Sequence, residues 1–206
     1  MLSFTKKEIF LMQKLNTPAK VQDFLNSLPF NFENEKGYKR ETLKSPLFTL
    51  RQRKAHCFEG ALLGAYILSL HGFTPSVLHL KATKHDYDHV IAPFKINGFW
   101  GALSKTNHVV LRYREPIYRN IRELVISYFH EYFLNSGLKT LRQYSEVLNL
   151  NTLPKDWAVR QGDLWDIDKK LDKMKHYDIV ERAYIKKLRK ADKVEIKAGK
   201  IVEYKK

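Results

Sequence analysis

The chain has 206 residues, 44% hydrophobic, 13% aromatic and 29% charged, a balance that excludes a wholly disordered or collagen-like polypeptide and leaves length for a real core. Its 37 Lys and Arg against 22 Asp and Glu give a net charge of +15, which favours polyanions among its partners. The single cysteine, Cys57, excludes an internal disulfide framework, and the longest nearly uncharged apolar run, Gly60 to Leu70, falls short of the roughly 20 residues that a membrane-spanning helix needs. The opening MLSFTKKEIF lacks an apolar stretch followed by a small-residue cleavage site, so a cytoplasmic location and no membrane partner are expected.

Residues 4 to 28 carry apolar residues at helical spacing, with Thr17-Pro18 as a cap and first-turn proline, and predict two short helices. Asn31 to Ser45 is polar and reads as an exposed loop. Phe58 to Leu70 is apolar on nearly every turn and stops at His71-Gly72, which predicts a buried helix. Next come β-type segments, Ser76–Lys81 and Asp88–Ile96, and then Asn97-Gly98, a strong hairpin signal because both central positions of a type I′ turn need positive φ. The partner strand is Phe99–Leu103, with a prolongation through Val109–Leu111. Tyr118 to Leu134 returns to helical spacing with Gly137 as its cap. Residues 1–150 are therefore expected to form the main domain. Residues 151–206 are expected to form a basic helical segment packed on it, ending in a small hairpin around Ala198-Gly199.

Cys57 lies where the basic stretch Arg51–Lys54 gives way to the buried helix. In a first helical turn the macrodipole, unpaired N–H groups and nearby cations favour the thiolate, which is the nucleophile. A lone cysteine is also a common small core residue. A nucleophilic thiol needs an imidazole held on a rigid element, and His89, at the start of a strand, suits this best of the 8 histidines. His56, beside Cys57, is expected to point elsewhere. Counting outward from the turn pairs Ile96 with Phe99 and His89 with Thr106, so Ser104 is a diagonal neighbour of His89. Ser104 is preferred as the group orienting the imidazole, with Asn107 in reserve.

A cysteine at a helix start, a histidine on a strand and a polar residue on the next strand together resemble the transglutaminase-like superfamily, related to papain-like peptidases and arylamine N-acetyltransferases. The third member of its triad sits in a Trp-x-x-x-Asp-Pro-Thr segment; here Trp100-Gly-Ala-Leu-Ser104-Lys-Thr106 has that spacing, with Ser in place of Asp. A hydroxyl can orient a histidine but cannot offset an imidazolium charge. His56 to Phe133 also resembles a set of bacterial proteins of this fold. The resemblance implies an α+β, papain/transglutaminase-like fold with the Cys-bearing helix on an antiparallel sheet. It also implies acyl transfer or amide hydrolysis through Cys57, His89 and Ser104, on a peptide or amide substrate and without a cofactor. The Cys57 backbone N–H would hold the oxyanion, with Gln52 a conceivable second donor, and Glu59 would hold a neighbouring Arg or Lys.

Two rival readings remain. His85, Asp86, Asp88 and His89 are of metal-ligating type, although alternation would point neighbours to opposite faces. From Lys169 onward, 14 basic residues face 6 acidic ones, +8 of the total charge, which suggests weak polyanion binding. Acidic residues interrupt that run at helical separations, as on a solvated helix.

Overall fold

In the computed structural model residues 2–32 and 41–205 are described. Helices α1 (Lys6–Lys14) and α2 (Pro18–Ser27) are capped by Thr5 and Thr17, whose side chains accept from Glu8 and Lys20 backbone N–H groups. Next come α3 (Pro46–Gln52) and α4 (Cys57–Ser69), and then strands β1 (Ser76–Ala82), β2 (His89–Ile96), β3 (Phe99–Leu103) and β4 (Arg114–Tyr118). The order continues with α5 (Ile121–Phe129), β5 (Leu141–Ser145), β6 (Leu148–Asn149), α6 (Trp165–Lys173), β7 (His176–Asp178), α7 (Arg182–Ile185) and α8 (Lys193–Gly199).

The fold is α+β, with a seven-stranded sheet in the order β4-β3-β2-β1-β5-β7 and β6 beside β1. Neighbours are antiparallel throughout. Alternation divides the strands between two cores. Val77, Val90, Ala92, Phe94 and Leu103 join α4 in one, while Leu78, Leu80, Ile91 and Ala102 join Leu124, Val125 and Tyr128 of α5 in the other. Helix α4 is buried along most of its length. Gly60 and Gly64 let it approach closely: a Cβ on Gly60 would lie 2.4 Å from Lys105 Cβ, and one on Gly64 2.7 Å from Leu103 Cδ1.

The Asn97-Gly98 turn has the expected positive φ values of 49° and 87°, and β2 and β3 pair in the counted register from Ile96–Phe99 to Ala92–Leu103. Beyond Leu103 pairing stops, so the prolongation of β3 to Leu111 is not made. Residues 104–113 instead cross over to β4, a strand hidden inside what reads as a loop and helix start. Helix α5 ends at Phe129, and Gly137 (φ 80°) serves a later turn.

The segment 31–45 is not simply an exposed loop. Residues 33–40 lie outside those described, but Asn31 and Leu43 are buried and Thr42 is hydrogen-bonded inward. The hairpin expected near the C-terminus is instead helix α8. The alternating pattern is overruled by an Asp-x-x-Glu start, where the Glu195 carboxylate accepts the Asp192 N–H at 2.6 Å. Among the described residues no helix is long and apolar enough to cross a membrane.

Candidate active site

Cys57 is the first residue of α4, a free thiol of intermediate exposure. Its backbone N–H has no acceptor among the described residues, as expected for a first-turn donor. Two imidazoles, those of His56 and His89, act on the sulfur. Burial alone would raise the thiol; the hydrogen bonds and positive charge of both rings outweigh it and hold Cys57 well below the ordinary thiol range.

His89 begins β2 and is buried. Its Nε2 lies 2.8 Å from Ser104 Oγ, the first residue past β3. Ser104 Oγ in turn donates to the Leu111 carbonyl at 2.5 Å. A hydroxyl has one proton, so Oγ can only accept from His89, which fixes the proton on Nε2 and leaves Nδ1 for the sulfur. Gln22 of α2 holds Ser104 from both sides, its Nε2 donating to the Ser104 carbonyl (2.8 Å) and its Oε1 accepting the Ser104 N–H (2.9 Å). Nothing in the local sequence of α2 signals this contact, which spans 82 residues.

Asn107 does not reach His89. Its side-chain amide pairs with the backbone of Tyr204, donating to the carbonyl and accepting the N–H, both at 2.9 Å. The intervening chain has left the β-sheet, so the one-residue phase difference is resolved by a crossover loop and not by a bulge. Thr106 Oγ1 accepts the His108 N–H and so serves its own turn. Gln52 is exposed at the end of α3.

His56 is where the sequence misleads most. It is the N-cap of α4, and its extended backbone (φ −97°, ψ −170°) turns the ring back over the first turn. His56 Nε2 lies 2.5 Å from the Thr42 carbonyl, while Nδ1 takes a long 3.3 Å bond from Phe58 N–H. Burial would lower this imidazole, but the bond to Cys57, the charges of Glu59 and Cys57 and the Thr42 carbonyl raise it to about 10. The available signal was Glu59, three residues on, which completes a capping box.

Glu59 is fully buried. Its carboxylate accepts from Asn31 Nδ2 (2.9 Å), Thr42 Oγ1 (2.9 Å), Lys44 N–H (3.3 Å) and His56 N–H (3.2 Å), and Lys44 Nζ lies 3.8 Å away. It therefore ties both described ends of the 31–45 segment to the start of α4. Tyr132, buried beyond α5, donates to the Tyr87 carbonyl; burial, then the charges of Asp86, Cys57 and Asp88, push its phenol upward.

The four metal-type side chains of residues 85–89 do not converge. Asp88 takes His79 (3.0 Å) and the Ala82 N–H (2.7 Å), Asp86 accepts from Thr140, His89 faces Ser104 and His85 is exposed. Among the described residues no group of three metal-type side chains is placed to hold an ion.

No family model matches the sequence, and no curated protein matches it. Solved structures similar to it include calcium-bound LapG of Legionella pneumophila, at 16% identity and a TM-score of 0.38 over 47% of this chain and 59% of that one. The EGTA-treated form of the same protein aligns at 12% identity and a TM-score of 0.40, over 83% and 82%. A candidate cysteine protease from Cytophaga hutchinsonii aligns at 17% and 0.38, over 48% and 37%. Both proteins have the transglutaminase-like, papain-like fold. The chain spans less than two thirds of calcium-bound LapG and of the Cytophaga protein.

Proposed function

We propose that the protein is a thiol-dependent acyltransferase or amide hydrolase of transglutaminase-like type, with Cys57 as nucleophile, His89 as proton carrier and Ser104 as the group orienting His89. The observation that carries this reading is the Cys57 thiol, favoured as thiolate and partly accessible at a helix start, acted on by a histidine whose tautomer is fixed from behind. The thiolate attacks an amide or ester carbonyl, and the new C–S bond forms as the carbonyl π pair moves to oxygen. The Cys57 N–H, which has no acceptor among the described residues, is a donor for that oxyanion. As the tetrahedral adduct collapses, the bond to the leaving group breaks and His89, which has taken up a proton from solvent at Nδ1, gives it that proton and returns to the neutral ring. Water or an amine then attacks the thioester, His89 takes its proton, and the thiolate departs.

The test uses p-nitrophenyl acetate, whose phenolate leaves without a proton. The wild type is expected to release nitrophenolate and to carry an acetyl group on Cys57 by mass spectrometry. Cys57→Ser should lose both. His89→Ala should still acylate but deacylate about 10²-fold more slowly or worse. Nitrophenolate release that is equal in Cys57→Ser overturns the reading.

A second reading is a catalytically inactive module whose basic tail binds a polyanion or a protein partner. It is favoured by α7 and α8, which bury no residue and leave Arg182, Lys193 and Lys197 to solvent. Retention on heparin lost as salt rises, with no acyl adduct on Cys57, supports this second reading over the first.

A further inference from the structure

The imidazoles of His56 and His89 both act on Cys57, and the chemistry above uses only His89. The groups standing behind the two rings differ. Behind His89 is the hydroxyl of Ser104, which orients the ring but brings no charge to balance a proton on it. Behind His56 is a buried carboxylate. Glu59 Oε2 lies 3.6 Å from His56 Nε2, and the Thr42 carbonyl lies 2.5 Å from the same nitrogen. Both are acceptors, so Nε2 remains a donor whether the ring is neutral or charged.

Only Nδ1 can then change. A neutral ring accepts the Phe58 N–H there, at 3.3 Å; a protonated ring donates to the sulfur instead. In that transfer the thiol proton moves from Cys57 to His56 Nδ1, Phe58 loses a long hydrogen bond, and the total charge is unchanged. Among the described residues the ionisable groups facing the pair are Glu59, with Lys44 Nζ 3.8 Å beyond it, His89 across the sulfur and the Tyr132 phenol, on which the Cys57 charge acts. Among the described residues, the carboxylate acting on the pair is thus Glu59, behind His56.

We propose that His56, backed by the buried Glu59 carboxylate, is the fixed cation that holds Cys57 as a thiolate, leaving His89 free to move protons during acyl transfer. The purpose of the pair rests on the acyl-transfer reading; the pair itself stands on the arrangement of His56, Glu59, Thr42 and Cys57. It also accounts for Ser104 where the superfamily pattern has Asp: charge balance is supplied on the other side of the sulfur.

Iodoacetamide alkylation of the folded full-length protein, followed against pH, separates the two rings. His56→Asn keeps a good N-cap acceptor while removing the imidazole. Its alkylation midpoint should move up toward the free-thiol value of about 8.5, with the rate near neutral pH falling about tenfold for each unit moved. Glu59→Gln should shift the profile in the same direction, by less. His89→Ala should keep most of the depressed midpoint while losing nitrophenyl acetate turnover. An unchanged profile in His56→Asn, or a midpoint restored to the free-thiol value by His89→Ala alone, overturns the proposal. Should His56→Asn fail to fold, the wild-type His56 C2–H resonance decides: protonation persisting well above the ordinary imidazole midpoint of about 6.5 supports the pair, and a midpoint at that value overturns it. Absence of an acetyl adduct alongside a depressed, His56-dependent thiol overturns the acyl-transfer reading and leaves the ion pair standing.

Discussion

Helix α4 and the C-terminal helices α7 and α8 are held by different forces. In α4 ten of thirteen residues are buried, packed between α2, α3 and the sheet. Helices α7 and α8 bury none. The tail is attached by directional polar contacts: the Asn107 amide on the Tyr204 backbone, Val109 N–H on the Ile201 carbonyl (3.1 Å) and His108 Nδ1 beside the Gly199 carbonyl (3.0 Å). Hydrophobic burial scales with area and is lost only when the core opens, whereas a hydrogen bond near solvent is replaced by water at a net cost of about 1 kcal/mol. Cys57 is therefore anchored in the part that opens last, and the tail belongs to the part that opens first.

The comparison breaks most directly at Leu63, which is fully buried on α4. Leu63→Ala should cost about 2–5 kcal/mol by urea unfolding. A loss below 1 kcal/mol would mean that α4 does not carry the core. Gly60→Ala comes next. Its new Cβ would meet Lys105 Cβ, one bond from the backbone and unable to swing aside, so a cost of about 1–3 kcal/mol is expected. Because Lys105 follows Ser104, nitrophenyl acetate turnover by the folded variant should also fall; full turnover at normal stability would show that the 104–105 segment yields freely.

Lys105 sits at the seam between the two regions. It is fully buried, its Nζ donates to the Leu28 carbonyl at 2.5 Å and lies 5.5 Å from the Tyr204 ring centroid. Burial holds its amine down at about 8, opposed by Glu203 and helped by Arg112. The unfolded chain, titrating near 10.5, therefore binds more protons between these values, and Lys105 makes stability rise with pH across that window. His56 acts oppositely: raised to about 10, its contribution is full below the unfolded imidazole range and is lost as pH rises through about 10. The difference between wild type and Lys105→Met isolates the lysine. Wild type should gain on the variant as pH climbs from about 8 to 10.5, and a constant gap would refute the seam assignment.

The smallest effect is expected from Asn107→Ala, at about 1 kcal/mol, with the last residues becoming sensitive to protease while α4 amides stay protected from hydrogen exchange. Equal loss of protection in α4 would show that the tail is part of the same cooperative unit.

Several features were legible because they are local. The start of α4 at the polar-to-apolar boundary and the Asn97-Gly98 turn each depend on a few adjacent residues. The turn fixes the β2–β3 register, and with it the approach of His89 to Ser104. Features that failed were those where two local patterns competed or where the partner lies far along the chain. Residues 193–199 alternate like a strand but also carry a capping box, and the box prevailed. Asn107 looked like an orienting amide, but its partner is Tyr204, 97 residues away.

From sequence alone came the burial of the cysteine-bearing helix and the pairing that brings a histidine and a serine together. These follow from periodicity and turn chemistry, which act between neighbours in the chain. The second imidazole at the sulfur, the carboxylate behind it and the Gln22 clamp on Ser104 were decided by the tertiary structure alone. Buried polar groups must find partners wherever packing provides them, and packing joins residues whose separation in sequence carries no sign of the contact.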